Sequence, residues 1–144
     1  MKIESLEYDY YTWPEELFPM HRCIGNNTKR LLVLANTADV PEHLGFLKKI
    51  LRSVDFDFEQ DILFATISPE ESFNLLNSTL IQDVATLMLF GVPPKCIGLH
   101  VYDARRLLVF DRFRVLLAPS LATLVSDAEQ KRALWGLLKN AFQI

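Results

Sequence analysis

Polar side chains that could do chemistry stand directly after apolar runs of the chain. Asn36 and Asp39 follow the run "RLLVLAN", and Ser120 ends the run "FRVLLAPS". A serine becomes a nucleophile when an adjacent base takes its proton, and Asn or Asp can position a water molecule or a base. These three residues are therefore candidates for a pocket at the ends of strands. The same residue types also cap turns and helix starts, which is the simpler interpretation.

The catalytic partners of such a serine are scarce in this sequence. The chain has three histidines, at His21, His43 and His100, and none stands at a predicted strand end beside a carboxylate. The stretch "APSLA" around Ser120 lacks the G-x-S-x-G elbow. An enzyme hypothesis therefore requires His43 or His100 to reach Asp39 or Ser120 in the folded chain.

Cofactor and metal motifs are absent from the sequence. Neither G-x-x-x-x-G-K-[ST] nor G-x-G-x-x-G occurs, which disfavours nucleotide binding. Cys23 and Cys96 form no C-x-x-C pair, and the histidines match no zinc spacing. We expect two free thiols, no cofactor and no metal.

The elements that must position these side chains alternate between two patterns. Flat apolar runs at 30–36, 61–67 and 85–92 are typical of strands buried on both faces of a parallel sheet. Further runs, "RRLLVFD" and "FRVLLAPS", are either two strands of a hairpin or a loop and a final strand.

Helical patterns lie between and after these runs. Apolar residues recur at helical spacing at Leu44, Leu47, Ile50 and Leu51. Ser68 as N-cap and Glu71 at the capping-box position predict a second helix that carries Phe73, Leu75 and Leu76. A capping box from Ser126 to Glu129 predicts a final helix with an apolar stripe that ends at Phe142.

This alternation predicts an α/β fold, a three-layer α/β/α domain with a mostly parallel sheet of four to five strands. Ligands of such sheets collect at the carboxyl ends of the strands, where Asn36, Asp39 and Ser120 would lie. We interpret residues 30–144 as a single α/β domain. Residues 1–29 form an irregular N-terminal segment and a candidate partner-binding peptide.

The N-terminal segment offers anchors of the kind that interfaces favour, namely Tyr10, Trp13, Leu17 and Phe18. In the other interpretation these side chains cover the core of their own domain. A net charge of −3 shows no basic surplus, so direct nucleic acid binding is disfavoured. The arginine-rich stretch 103–114 is either a local nucleic acid contact or, as we prefer, a salt-bridged strand pair. No signal peptide or membrane span is recognisable, and we expect a cytoplasmic protein.

Three stretches together resemble one protein family. "RLLVLANTADVPEHLGFLKKIL", "QDILFATISPEE" and "APSLATLVSDAEQKRALWGLLKNAF" are similar in order and spacing to the psi subunit of bacterial DNA polymerase III, over about residues 31–142. The resemblance implies an α/β/α domain related to uracil-DNA glycosylases but without their activity. The glycosylases keep a catalytic histidine after the last strand, and Ala118 stands at that position here.

Psi subunits are adaptors that pair with a chi subunit and dock on the clamp loader through an N-terminal peptide. The resemblance therefore implies a non-enzymatic interaction subunit of the DNA replication machinery, with clamp-loader subunits and a chi-like subunit as partners. Asn36, Asp39 and Ser120 would then be a vestigial pocket. Two alternatives stay open: a small α/β enzyme or ligand-binding protein that uses this pocket, and a structural dimer.

Overall fold

The computed structural model describes residues 18–75, 82–99, 107–110 and 112–142. Its strands are β1 (Leu31–Asn36), β2 (Ile62–Ile67), β3 (Thr86–Phe90), β4 (Leu107–Val109) and β5 (Arg114–Ala118). Its α-helices are α1 (Leu44–Ser53), α2 (Leu121–Ser126) and α3 (Ala128–Phe142).

The strands form one five-stranded sheet in the order β2-β1-β3-β5-β4. All neighbours pair in parallel except β4, which lies antiparallel to β5 at one edge. The predicted α/β fold with a mostly parallel sheet is confirmed. Of the two interpretations of the last apolar runs, the hairpin is the right one.

The centre of the sheet explains the flat apolar runs. Leu31 to Ala35 of β1 are completely buried, because β1 has a strand on each side and a covered face above and below. Alternate side chains point to opposite faces, so both faces of the strand must be apolar. Each large side chain buried in this way stabilises the fold by about 1.5–3 kcal/mol.

Three helices cover one face of the sheet. The residues that they bury there are Leu47 and Leu51 of α1, Leu121 and Leu124 of α2, and Leu134, Leu138 and Ala141 of α3. The helical spacing seen in the sequence therefore marks the faces that pack on the sheet. Within the described ranges, no helix has the length and apolar character that a membrane crossing requires.

The opposite face is covered, in the described ranges, by extended and 3₁₀ segments that bury Phe18, Phe73, Leu75, Cys96 and Ile97. The predicted helix start at Ser68 is wrong. The expected contact does form, since Glu71 Oε1 accepts the Ser68 amide proton at 3.0 Å.

The chain after Ser68 nevertheless runs extended. The amides of Phe73 and Leu75 donate to the carbonyl oxygens of Cys96 and Ile97, at 2.8 and 3.3 Å. These bonds use backbone donors that a helix would need, so the non-local pairing replaces the helix. Leu76 lies outside the described residues.

The helix that ends the domain starts one residue later than the sequence indicates. Ser126 ends α2, and its hydroxyl donates back to the carbonyls of Ala122 and Thr123. Asp127 is the cap instead, because its Oδ1 accepts the amide protons of Glu129 and Gln130 at 3.0 and 3.1 Å. The predicted capping box at Ser126 is therefore wrong, while the helix itself is confirmed.

Candidate functional site

The carboxyl ends of β1, β3 and β5 lie side by side at one end of the sheet. Asn36 ends β1, Gly91 follows β3, and Ser120 follows β5 at the start of α2. The sequence-predicted pocket residues are therefore placed at one end of the sheet. Their hydrogen bonds decide what they can do there.

Asn36 caps the turn that follows β1. Its Oδ1 accepts the Ala38 amide proton at 3.0 Å, and residues Thr37–Asp39 form a 3₁₀ turn. This is the local hydrogen bond by which Asn commonly starts a turn. The amide oxygen is thus engaged by the backbone two residues away.

Asp39 connects this turn to α2. Its side chain is buried, with 8% of the residue exposed, and Oδ2 accepts the Leu121 amide proton at 3.2 Å. A carboxylate placed at the first amides of a helix satisfies a donor that the helix itself cannot satisfy. Asp39 therefore holds the connection after β1 against the connection after β5.

Ser120 is the N-cap of α2. Its Oγ accepts the Thr123 amide proton at 3.2 Å and donates to the Thr123 hydroxyl at 3.0 Å. The hydrogen-bond partners of the Ser120 hydroxyl are thus the amide and hydroxyl of Thr123, and among the described residues no base bonds to it. This geometry matches the capping role and offers no activation of a nucleophile.

Gly91 brings the connection after β3 against Ser120. Gly91 has φ +69°, a left-handed conformation that favours glycine, and a Cβ built there would lie 2.7 Å from both Cα and Cβ of Ser120. Both the backbone conformation and the lack of space for a side chain therefore require glycine at this position. The region around Ser120 is filled by backbone.

The histidines do not complete a catalytic group in the part of the chain that the structure describes. The nearest acidic oxygen to His43 is Oε2 of Glu42, 3.9 Å from Nε2, and the imidazole makes no hydrogen bond to Asp39 or Ser120. His21 lies exposed in the 3₁₀ turn Met20–Arg22, and His100 is outside the described residues. The described residues also contain no group of three or more His, Cys, Asp or Glu side chains that could hold a metal ion.

Two of the concavities on the described part of the domain lie away from these residues. One, of about 300 Å³, is lined by charged and aromatic residues of α1 and the connection to β2, from Lys48 to Asp61. The other, a groove of about 450 Å³, lies between α3 and the end of β5. Asn36, Asp39 and Ser120 line neither of them.

The groove along α3 was not predicted from the sequence. Its lining residues include Leu117, Pro119, Ala133, Gly136 and Leu137. The available signal was the pair of small residues Ala133 and Gly136 on one flank of an otherwise ordinary amphipathic helix. Periodicity alone could not indicate that this flank borders a groove.

The N-terminal anchors divide between described and undescribed parts of the chain. Tyr10, Trp13 and Leu17 lie outside the described residues. Phe18 is a core residue, 3% exposed, with its ring 5.9 Å from that of Phe73 in an edge-to-face arrangement. Phe18 thus has the role of covering the domain's own core, and its side chain is not at the surface.

The segment that follows Phe18 is fastened to the domain by a two-bond ion pair. Nη1 and Nη2 of Arg22 donate to the two carboxylate oxygens of Glu71, at 2.8 and 2.6 Å. Arg22 also lies over the Phe73 ring, 5.2 Å from its centre. The hydrogen bonds from Arg22, followed by that from the Ser68 amide, lower the pKa of Glu71 to about 2.

Both cysteines are free thiols, as predicted. Burial raises the pKa of Cys23 to about 11 and also raises the pKa of Cys96. A thiol is nucleophilic as the thiolate, so both groups are poorly suited to nucleophilic or metal-binding chemistry near neutral pH.

Part of the arginine-rich stretch forms the β4–β5 hairpin. Arg114 turns inward, where Nε donates to Thr86 Oγ1 at 3.2 Å and the guanidinium lies 5.1 Å from the centre of the Phe142 ring. Arg112 is exposed next to the stacked rings of Phe110 and Phe113, whose centres are 4.9 Å apart. Residues 103–106 and Asp111 lie outside the described ranges.

No protein-family model matches the sequence, and a search of the curated proteins found no match.

Proposed function

We propose that this protein is a non-enzymatic adaptor, a psi-like interaction subunit of the DNA replication machinery associated with the clamp loader. The observation that carries the non-enzymatic part is the use of Asn36, Asp39 and Ser120. All three side chains accept hydrogen bonds from backbone amides: Asn36 and Ser120 cap the turn and the helix that they begin, and Asp39 holds the first amide of α2. In an enzyme of this architecture, side chains at the same edge would face a substrate.

The association with the replication machinery rests on the resemblance to psi subunits. Two features agree with it. The domain is α/β with a mostly parallel sheet, and Ala118 ends β5 where the related glycosylases place a catalytic histidine. An alanine can neither transfer a proton nor stabilise a leaving anion, so a pocket of this ancestry would be vestigial.

The alternative of a small enzyme or ligand-binding protein lacks a supporting observation. It calls for a base beside Ser120 or Asp39 and for a concavity that these residues line. His43 makes no hydrogen bond to Asp39 or to Ser120. The larger groove is lined by α3 and the end of β5, and not by Asn36, Asp39 or Ser120.

Affinity capture from the native host tests the adaptor function. The full chain and a version of residues 18–144 are tagged at the C-terminus and used to recover binding proteins, which are identified by mass spectrometry. The truncation stops before Phe18 because removing that core side chain would disturb the fold. A double variant, Tyr10→Ala with Trp13→Ala in the full chain, is the matched control that leaves the length unchanged.

We expect clamp-loader subunits with the full chain, and a strong reduction with both the truncated chain and the double variant. Circular dichroism of the two altered proteins shows whether the domain is intact. Recovery of no replication protein by the intact full chain would contradict the proposal. Equal recovery by all three forms would contradict the role of the N-terminal anchors.

A further inference from the structure

The two edges of the sheet are treated differently. At the β2 edge, Ile24 and Phe64 exchange backbone hydrogen bonds of 2.9 and 2.8 Å, and the Asn27 amide donates to the Ile62 carbonyl at 3.2 Å. The chain therefore covers that edge with its own backbone. Among the described residues, no segment covers the β4 edge in this way.

The outward-facing backbone groups of β4 can be assigned from its pairing. The Phe110 amide donates to the Phe113 carbonyl at 2.8 Å, which makes these two residues a hydrogen-bonded pair. Hydrogen-bonded and non-bonded pairs alternate along antiparallel strands, so Leu108 bonds to Val115, whereas Val109 and Arg114 do not bond to each other. The Arg114 amide accordingly donates away from β4, to the Ala85 carbonyl at 3.1 Å.

Val109 thus directs its N–H and C=O toward the open edge, and its side chain is 74% exposed. Unpaired backbone groups beside apolar side chains are a template for another strand. Natural edge strands are commonly protected by short length, charges, prolines or bulges; Leu107–Val109 is short, but it contains no charge, proline or bulge.

The groove along α3 lies one strand in from the same edge. It is formed by one flank of α3 and by Leu117 and Pro119 at the end of β5, the strand next to β4. On the other flank, the Lys131 ammonium lies 5.7 Å from the centre of the Phe46 ring of α1. The groove flank therefore points away from α1, across β5 toward β4.

The groove flank differs in charge from the rest of the exposed helix. It carries Gln130, Ala133, Leu137 and Asn140, with a single carboxylate, Glu129, at its N-terminal end. The cations of α3, which are Lys131, Arg132 and Lys139, lie on the opposite flank. Two such flanks can approach each other without repulsion between like charges along most of their length.

From these features we propose that the protein forms a two-fold symmetric homodimer in which β4 pairs antiparallel with β4 of a second copy. The two α3 groove flanks then face each other over the shared seam. A second copy fits because an antiparallel edge is self-complementary, and a two-fold axis presents the same patch on both sides. Two five-stranded sheets would join into one continuous sheet.

The strand pairing and the groove are both needed for this interface. A pair of three-residue strands buries far less than the roughly 1,000 Å² that a specific interface requires. The groove, of about 450 Å³ in each copy, adds to the surface that the strand pair buries.

Sedimentation equilibrium of the whole chain, from micromolar to submillimolar concentration, tests the dimer. Val109→Pro removes the outward N–H, which the β4–β5 ladder does not use, and proline is tolerated at such an edge position. Val109→Lys adds a charge at the same place. Val125→Lys is the matched control, because Val125 is an exposed apolar residue of α2, 42% accessible and away from the seam.

We expect the wild-type chain and Val125→Lys to approach twice the monomer mass of 16.6 kDa. For both Val109 variants, the dissociation constant of the dimer should be at least about tenfold higher than for the wild-type chain. A wild-type chain that stays at 16.6 kDa throughout would overturn the proposal. A dimer that the Val109 variants leave unchanged would overturn it as well.

Hydrogen exchange of the unaltered chain provides a test that does not depend on how the variants fold. The Val109 amide should exchange rapidly in dilute protein and become protected as concentration rises. The Leu108 amide, which is bonded to β5, should be protected at every concentration. If the Val109 amide exchanges rapidly at concentrations where the chain sediments as a dimer, the dimer contact does not involve β4 and the proposal is wrong.

Discussion

Replacement of Asp39 by alanine tests whether this buried carboxylate serves the fold. The substitution leaves the Leu121 amide, at the start of α2, without the acceptor that now lies 3.2 Å away. Loss of the acceptor from a buried donor costs about 1–3 kcal/mol. We therefore expect Asp39→Ala to lower the free energy of unfolding by about 2 kcal/mol. Asp39→Asn keeps an oxygen in place and loses only the charge near the helix start, which is worth about 0.3–1 kcal/mol.

Urea unfolding followed by circular dichroism and tryptophan fluorescence measures these differences, with the slope against urea held to the wild-type value. Asp83→Ala is the control, because Asp83 is exposed and should change stability by less than about 0.5 kcal/mol. An Asp39→Ala protein as stable as wild type would refute the capping role. So would an Asp39→Asn protein that is as unstable as Asp39→Ala, because the oxygen acceptor would then be irrelevant.

Four further perturbations have expected outcomes. Gly91→Ala would place a Cβ only 2.7 Å from Cα and Cβ of Ser120, at a residue in the left-handed conformation, so it should destabilise the domain by about 2 kcal/mol or more in thermal or urea unfolding. Gly136→Ala, in open space inside α3, should stabilise it by up to about 1 kcal/mol, and equal effects of the two changes would contradict this account. Because the folded-state pKa of Glu71 lies at about 2, below its ordinary 4.5, its ion pair with Arg22 contributes stability above pH 4.5 that is lost as the pH falls toward 2. The free energy of unfolding of Glu71→Gln should depend less on pH across this range than that of the wild type. An unchanged pH dependence would contradict the stabilising role of the Glu71–Arg22 ion pair. The raised pKa of Cys23, about 11 against 9.0, makes its thiolate about a hundredfold scarcer at pH 8, so iodoacetamide should modify it far more slowly in native protein than in urea. Similar rates in both conditions would show that burial does not protect this thiol.

The central strands could be predicted because their burial is dictated by composition alone. A run such as Leu31 to Ala35 can be stable only where both faces of a strand are covered, and the sheet places β1 in that position. The stripe of α3 was equally readable, since Leu134, Leu138 and Ala141 lie on one face. For both elements the local pattern and the tertiary packing agree.

The segment after Ser68 shows where local patterns are insufficient. Its capping contact to Glu71 forms, but Glu71 also binds Arg22, and the following amides pair with the segment around Cys96. Both partners are distant in sequence, so the competing interactions could not be read from the residues that predicted a helix. Local propensity is overridden by a non-local backbone pairing.

The candidate site was predicted in its position and left open in its role. The order of strands and the spacing of polar residues locate Asn36, Asp39 and Ser120 at the carboxyl ends of the strands. The choice between capping and chemistry depends on distances of a few ångströms between residues such as Asp39 and Leu121. The open β4 edge and the groove along α3 likewise depend on tertiary neighbours, so periodicity could not indicate them.

Direct binding of the purified host clamp loader to the immobilised chain tests the central claim that the strand-end residues serve the fold and that the protein acts by binding partners. The full chain and Ser120→Ala should bind with the same affinity, while residues 18–144 should bind much more weakly. Absence of binding by the folded full chain would contradict the account. Loss of binding in a folded Ser120→Ala protein would also contradict it, because Ser120 would then contribute more than a helix cap.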